Sequence, residues 1–322
     1  MKINQFTWEK LKKPILALAP MAGVSDSPYR LICRELGADI VYSEMVSVAA
    51  LCHHSPKTKS LLEFTDAERP LILQIFGSEP EQFAVAAKFV DAEVKPDGLD
   101  INFGCPVRDV IKTGAGCYLM KDLARSRVVL EAVLANTTLP VSIKVRTEVG
   151  GVTVLDLLDK IAGLDLKAIM IHGRTFSQKF SGPINIELIK EAKKRFKGVV
   201  LANGGLHTPE SVAQVLADTG CDGVGLARGV MGRPYLFTQA REYLEAGKYQ
   251  PPVFVDIQKI ILRQAKLMAE TKGPRGVMEM RKHLGWYVHD FPGAKKLRAR
   301  FYACTTYAEI EQILLDNPLR FG

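Results

Sequence analysis

Eight short apolar runs punctuate the chain: ILALAP (15–20), DIVYSE (39–44), LILQIF (71–76), GLDINF (98–103), VSIKVR (141–146), AIMIHG (168–173), GVVLANG (198–204) and GVGLARG (223–229). They recur at spacings of roughly 25–40 residues and are continuous rather than alternating, the pattern of parallel strands covered on both faces. The stretches between them carry helical periodicity. Tyr29, Ile32, Cys33 and Leu36 follow an i, i+3, i+4, i+7 spacing behind Ser27-Pro28, read as N-cap and first-turn proline, with Gly37 as the stop. Phe83, Ala86, Ala87 and Val90 repeat the stripe, as do Val154, Leu157, Leu158 and Ile161, and Thr208-Pro209 opens a helix that Gly220 closes. Eight strand–helix alternations predict an α/β fold, a (β/α)8 TIM barrel. A doubly wound open sheet is the rival, but it usually offers fewer strands and a GxGxxG turn, which this chain lacks.

From about Glu242 the strand signal stops, and PPVFVDIQKIILRQAKLMAETKG and the residues after it read as helix. This divides the chain into a barrel over residues 1–244 and a small all-helical domain over 245–322, with Pro251-Pro252 in the linker. The formal charge of +8 is concentrated in that tail. Between Thr271 and Arg300 stand eight Lys or Arg and two acids, Glu279 and Asp290. Such a field either attracts a polyanion, nucleic acid above all, or is a solvated basic helix face.

No apolar run approaches the roughly 18 residues that span a bilayer, and the first residues lack the apolar stretch of a signal peptide, so a cytoplasmic protein is expected. Six cysteines without a CxxC pair argue against a disulfide framework and a structural zinc, and no metal site is expected. Oligomeric state leaves no mark in the sequence, and a monomer is the working expectation.

Barrel chemistry sits at the C-terminal ends of the strands. Those ends carry Pro20-Met21-Ala22-Gly23, Glu44, Gln74, Asn102, Lys144 and Arg146, His172 and Arg174, Asn203-Gly204-Gly205, and Ala227-Arg228-Gly229. The two last turns, NGGL and GLARG, offer bare backbone N–H groups and Arg228 for a phosphate. Lys144 ends an apolar strand, where it either meets an anion or electron-rich ring or pairs with an acid such as Glu44. His172 is either a satisfied core histidine or a ligand contact beside Lys144, and Gln74 both donates and accepts. One phosphate seat, one buried cation and amide partners together fit flavin mononucleotide (FMN). The loop NFGCPVRDVIKTGAGCYLM, with Gly114 and Gly116 as hinge candidates, then places Cys105 above the site as a thiol that is mostly protonated at neutral pH and can donate its proton. Cys117, beside YLM, reads as packing.

APMAGVSDSPYR, LQIFG, DINFGCP with GAG and LM downstream, VSIKVR, IHGRT, ANGG, GLARG with GRP, and MRKHLGWY in the tail, in this order, resemble the tRNA-dihydrouridine synthase family, bacterial type, over nearly the whole chain. The resemblance implies an FMN barrel with a helical tRNA-binding domain. It implies hydride transfer from reduced FMN to C6 of a tRNA uracil, protonation of C5 by Cys105, and NADPH as the reductant. Pro20, Met21, Ala22, Gln74, Lys144, His172, Asn203, Gly204, Gly205, Ala227 and Arg228 are then expected to contact FMN, and Asn102, Arg281, Lys282 and His283 to lie near the target base or the RNA. Two rivals stand beside this: an FMN barrel acting on a free pyrimidine, which has no need of the basic tail, and an RNA-binding protein without catalysis, which has no need of the polar strand ends.

Overall fold

A computed structural model describes residues 6–53, 55–289 and 293–316. Eight parallel strands close into a barrel: β1 (Ile15–Leu18), β2 (Ile40–Ser47), β3 (Leu71–Phe76), β4 (Gly98–Asn102), β5 (Val141–Arg146), β6 (Ala168–His172), β7 (Val199–Asn203) and β8 (Gly223–Leu226), each hydrogen-bonded to the next and β8 back to β1. Between β5 and β6 the chain adds a hairpin, Glu148–Val149 with Val152–Thr153, that no sequence signal announced.

Strand alternation explains both the core and the site. Leu16, Leu18, Ile143, Val145, Val200 and Ala202 point outward into one layer beneath the helices. Ile15, Ala17, Ile40, Tyr42, Ile72, Met170 and Leu201 point inward, with Trp8 packed against them. The same inward phase continued along each strand reaches Gln74, Asn102, Lys144, His172 and Asn203. Apolar inward residues give way to polar ones toward the C-terminal ends, so the barrel is oily inside and polar at the top.

The helices start and stop for local reasons. Pro209–Thr219 is capped by Thr208, whose hydroxyl accepts from Ser211 N–H, and ends at Gly220 in the left-handed region. The first helix, Ser27–Glu35, differs from the expectation by one residue. Asp26 is its cap, accepting from Tyr29 N–H at 3.1 Å, and Ser27 instead donates to Glu68 at 2.6 Å. A carboxylate makes the stronger cap, so the position before Ser-Pro wins.

The expected boundary at 244/245 falls inside the helix Leu236–Ala246, and the next helix, Phe254–Tyr287, begins after Pro251-Pro252. That long helix kinks where Gly273 leaves helical geometry ahead of Pro274. The described residues between Phe254 and Leu314 share a core of their own around Ile261, Met268, Met280, Leu284 and Phe301. The tail docks on the first barrel helix through Leu31, Ile32 and Leu267, with Arg263–Glu35 (2.8 Å) and Lys272–Asp26 (2.5 Å) at its edges. The outermost residues of both expected domains (1–5 and 317–322), and Asp290 of the basic window, lie outside the described residues. Among the described residues no helix is long and apolar enough to cross a membrane.

Candidate active site

The strand ends surround a cavity of about 320 Å³. All eleven residues expected at a cofactor line it: Pro20, Met21 and Ala22 after β1, Gln74 on β3, Lys144 on β5, His172 on β6, Asn203, Gly204 and Gly205 at and after β7, and Ala227 and Arg228 after β8. Asn102 and Cys105 line it too, and no Asp or Glu stands among the lining residues described.

One wall is a chain of side-chain hydrogen bonds. Asn102, the last residue of β4, donates from Nδ2 to Gln74 Oε1 (2.8 Å), and its Oδ1 accepts from the backbone N–H groups of Gly104 (3.1 Å) and Cys105 (2.9 Å). Those two bonds shape the turn that lifts Cys105 off the strand. Gly116 closes the same loop from the other side. It has φ +61°, and a Cβ there lies 2.8 Å from the carbonyl oxygen of Cys105, so only glycine fits. The Cys117 N–H donates to that carbonyl at 3.1 Å, and the buried Cys117 thiol lies against the Arg146 guanidinium. Cys105 itself is half-buried. Burial raises its thiol above the ordinary range and outweighs the opposing hydrogen bond from the Val107 N–H and the charges of Arg146 and Lys144.

The adjoining wall is cationic, beginning with Lys144, the register partner of Asn102 on β5. Lys144 donates to Asn203 Oδ1 at 3.3 Å, and Asn203 is turned by its own Nδ2, which donates to Gly225 O at 2.6 Å. Glu44 takes the N–H of Gly23 instead, so the ion pair considered for Lys144 is not formed. Burial, then the charge of Arg146, pushes the Lys144 ammonium down to about 8. Burial, then Lys144, holds His172 far below its ordinary range, so the imidazole is neutral. Gly204, with φ +107°, passes so close to the His172 ring that a Cβ falls 2.7 Å from Cδ2. Arg174, 8% exposed, donates from Nε to Gly182 O at 2.7 Å, while its buried Nη1 meets no protein acceptor.

Two of the residues that organise the site were visible only as strand ends, and several were not visible at all. Arg146, 1% exposed, donates to Gly104 O (3.0 Å), Thr175 O (2.9 Å) and Lys179 O (3.0 Å). It thereby ties the Cys105 turn to the loop after β6. That loop brings Phe180 over the mouth, where the Arg228 guanidinium lies 4.5 Å from its ring centre. Met45, near the end of β2, also reaches the lining, as do His207 and Met231 from loops with no periodic signature. A returning loop is a tertiary event, and nothing in its own sequence marks where it lands.

The expected RNA residues of the tail fare differently. Arg281 is half-buried and donates to Cys304 O at 2.7 Å; Lys282 donates to the carbonyl of Gly23, on the cavity's own first loop. The expectation for His283 is corrected. Its side chain is fully buried between Tyr29 (5.3 Å between ring centres) and Trp286 (4.9 Å), so it has no face to offer RNA. The signal was present: Met280, His283, Leu284 and Tyr287 form an i, i+3, i+4, i+7 stripe, and helix phase turns His283 inward with its apolar neighbours. Lys295, Lys296 and Arg300, on the helix Ala294–Ala303, are among the exposed cations of the tail.

The comparisons with known proteins agree with this architecture. The model of the family described as Dihydrouridine synthase (Dus) matches residues 17–320. The tRNA-dihydrouridine synthase B of Pseudomonas aeruginosa is 36% identical over 293 residues, covering 89% of this chain and 87% of that one. The protein of the same name from Pseudomonas putida is 36% identical over 310 residues, covering 94% and 90%. Among solved structures, histamine dehydrogenase from Rhizobium sp. 4-9 superposes with a TM-score of 0.54 at 15% identity, over 78% of this chain and 48% of that one. A 2-naphthoyl-CoA reductase complex gives 0.54 at 13% identity, over 72% and 50%. This chain spans about half the length of those two, and at such identities they share the barrel and no more. The family match runs through barrel and tail alike, and the chain belongs to the dihydrouridine synthase family.

Proposed function

We propose that this chain reduces uridines of tRNA to 5,6-dihydrouridine, with FMN in the barrel mouth and NADPH as the reductant. The observation that carries the proposal is a thiol kept protonated by burial, held on an Asn102-anchored turn, at the rim of a cationic cavity lined without acids.

The residues fit FMN. The buried, unpartnered Nη1 of Arg174, the Gly204-Gly205 turn and Arg228 suit a phosphate dianion. Gln74 keeps one N–H and one lone pair beyond those engaged with Asp100 and Asn102, which suits a ring edge carrying carbonyl and N–H groups. Lys144 would supply positive charge to stabilise a reduced, anionic ring. When bound and reduced, FMN supplies the hydride for C6 of the uracil.

The chain's own residues account for the rest. Cys105 holds on Sγ the proton that C5 needs, and burial keeps it there at neutral pH. Asn102 fixes the backbone that carries the thiol. Neutral His172 offers an N–H without adding a further charge beside Lys144. Phe180 covers part of the mouth and narrows the access of water. A uracil in folded RNA reaches such a cavity only when turned out of its stack, and the exposed cations of the tail suit phosphates read for position rather than sequence. The tail also favours this reading over reduction of a free pyrimidine.

The test is reconstitution of the purified protein with FMN, NADPH and an unmodified tRNA transcript, with dihydrouridine counted by mass spectrometry. Dihydrouridine is expected in tRNA and not from free uracil; turnover of free uracil with none on tRNA would sink the proposal. Cys105→Ala is expected to retain the yellow cofactor and lose product formation by about a hundredfold or more, the scale of a lost general acid. An unchanged rate in that variant removes the thiol from the reaction.

A further inference from the structure

At the cavity floor the strand register sets lining residue Gln74 side by side with Asp100 and Ser142 on β3, β4 and β5. All three are at most 1% exposed. Asp100 accepts from Ser142 Oγ at 2.6 Å and from Gln74 Nε2 at 2.7 Å. An ionised carboxylate offers acceptors only, so both neighbours must donate to it. For Gln74 that settles the amide: Nε2 faces Asp100 and Oε1 faces the other way, where it accepts from Asn102 Nδ2 at 2.8 Å. Asn102 is settled in turn, with its Oδ1 left to accept from the N–H groups of Gly104 and Cys105.

Every bond of this series points the same way, and the direction is set at its charged end. With either amide reversed, a donor meets a donor. Asn102 then presents NH₂ to two backbone N–H groups, and the turn beneath Cys105 loses both of its holds. A buried unmatched donor costs more than the bond it replaces is worth, so the reversal propagates rather than being tolerated. No apolar residue at position 100 could impose that choice, and a buried acid on a strand interior is otherwise only a cost.

We propose that Asp100 is a positioning residue for the reaction: through Gln74 and Asn102 it fixes the amide orientation that holds the turn carrying Cys105, and so the aim of the thiol. What the thiol does to a base rests on the function proposed above; how it is held does not.

The test separates the two. Asp100→Asn is nearly isosteric, yet its NH₂ can donate to Gln74 Oε1 and reverse the series. Gln74→Glu added to it restores the original direction, because a carboxylate at 74 accepts from Asn at 100 and from Asn102 alike. Ser142→Ala removes a donor from the same layer without touching either amide. In cofactor-free protein, the alkylation rate of Cys105 by iodoacetamide, read on its peptide by mass spectrometry, is expected to change about fivefold or more in Asp100→Asn. It should return to within about twofold of wild type in the double variant, and stay there in Ser142→Ala. On tRNA, Asp100→Asn is expected to lower kcat by about tenfold to a hundredfold with KM changed by less than about threefold, the scale of a group misplaced by about 1 Å.

A wild-type alkylation rate and kcat in Asp100→Asn refute the proposal. So does a double variant that fails to restore the thiol, or a Ser142→Ala that disturbs it as much, since packing alone then explains the layer. Should Asp100→Asn not fold, the double variant is read directly, and it must fold and alkylate like wild type. If the wild-type protein makes no dihydrouridine, the proposed function fails, while the alkylation series still decides how Cys105 is held.

Discussion

Replacing Lys144 with Met should make the cofactor-free protein more stable at pH 7 while weakening its hold on FMN. The ammonium is displaced from 10.5 to about 8 because burial and the charge of Arg146 disfavour it. A shift of that size is worth about 3 kcal/mol at about 1.4 kcal/mol per pH unit. Lys144 borders an open cavity, so water screens part of this, and about 1–2 kcal/mol is the realistic penalty. The sign follows from proton counting. The folded-state value lies below the unfolded one, so between about pH 8 and 10.5 the unfolded chain holds more protons, and stability rises with pH through that window. Below about 8 the penalty is present in full. Methionine keeps the apolar stem and removes the charge, and it forfeits a hydrogen bond to Asn203 that is long at 3.3 Å and worth about 0.5 kcal/mol. Asn203 keeps its bond to Gly225, so nothing else comes loose. The net gain is about 1 kcal/mol at pH 7, shrinking toward zero by pH 10.5. Urea unfolding of the two cofactor-free proteins at pH 7 and pH 10 reads this as a difference, so other groups that titrate there cancel. FMN titrations should show a Kd raised about tenfold to a hundredfold, the value of a lost charge-assisted contact. A variant less stable than wild type at pH 7, or a gap that does not close with rising pH, refutes the account of Lys144 as a strained cation held for a ligand.

Gly204→Ala places a methyl 2.7 Å from the His172 ring at a φ of +107°, so fluorescence titration should show FMN binding weakened about tenfold or more. Unchanged affinity would mean that this turn is not part of the cofactor seat. Reversing the charge of Lys295 and Lys296 should weaken tRNA binding most at about 50 mM salt and progressively less toward about 200 mM, with NADPH oxidation by the bound cofactor unchanged. A loss that does not depend on salt would point to misfolding of the tail rather than to phosphate contacts.

The barrel was legible because its strands are covered on both faces and therefore read as unbroken apolar runs, and the helix stripes between them carry punctuation such as Thr208-Pro209 and Gly220. The residues around the cavity were legible for a related reason. Gln74, His172 and Asn203 are the polar ends of inward phases that begin with apolar residues, as in Val199, Leu201 and Asn203 on one strand, while Asn102 and Lys144 end phases that are already polar at Asp100 and Ser142. Partners brought in by returning loops were not legible: Phe180 and the carbonyls that Arg146 binds are set by where a loop lands, not by a period. His283 fails differently. The run Arg281-Lys282-His283 looks like a basic patch when read as composition and like a buried stripe when read as helix phase, and at a helix–barrel contact the phase decides. Asp100 was the quiet signal, a single charge within GLDINF, where every other residue suits a covered strand.

The balance at Cys105 also decides which chemistry the site favours. A cysteine serving as nucleophile needs its thiolate, and such sites lower the thiol with nearby cations in an accessible setting. Arg146 and Lys144 stand close enough to pull in that direction here, yet burial outweighs them and the thiol rises. The cations are engaged elsewhere: Arg146 on three carbonyls, Lys144 on Asn203 and the cavity. A ring and a base seated in the mouth displace water and deepen the burial of the sulfur, which strengthens the same bias. In the proposed function the positive lining would then serve anion binding beside a neutral imidazole, and the thiol would act as the acid. One fold thus holds a strongly cationic cavity and a protonated cysteine together, because burial of the sulfur on the Asn102-anchored turn outweighs the nearby charges.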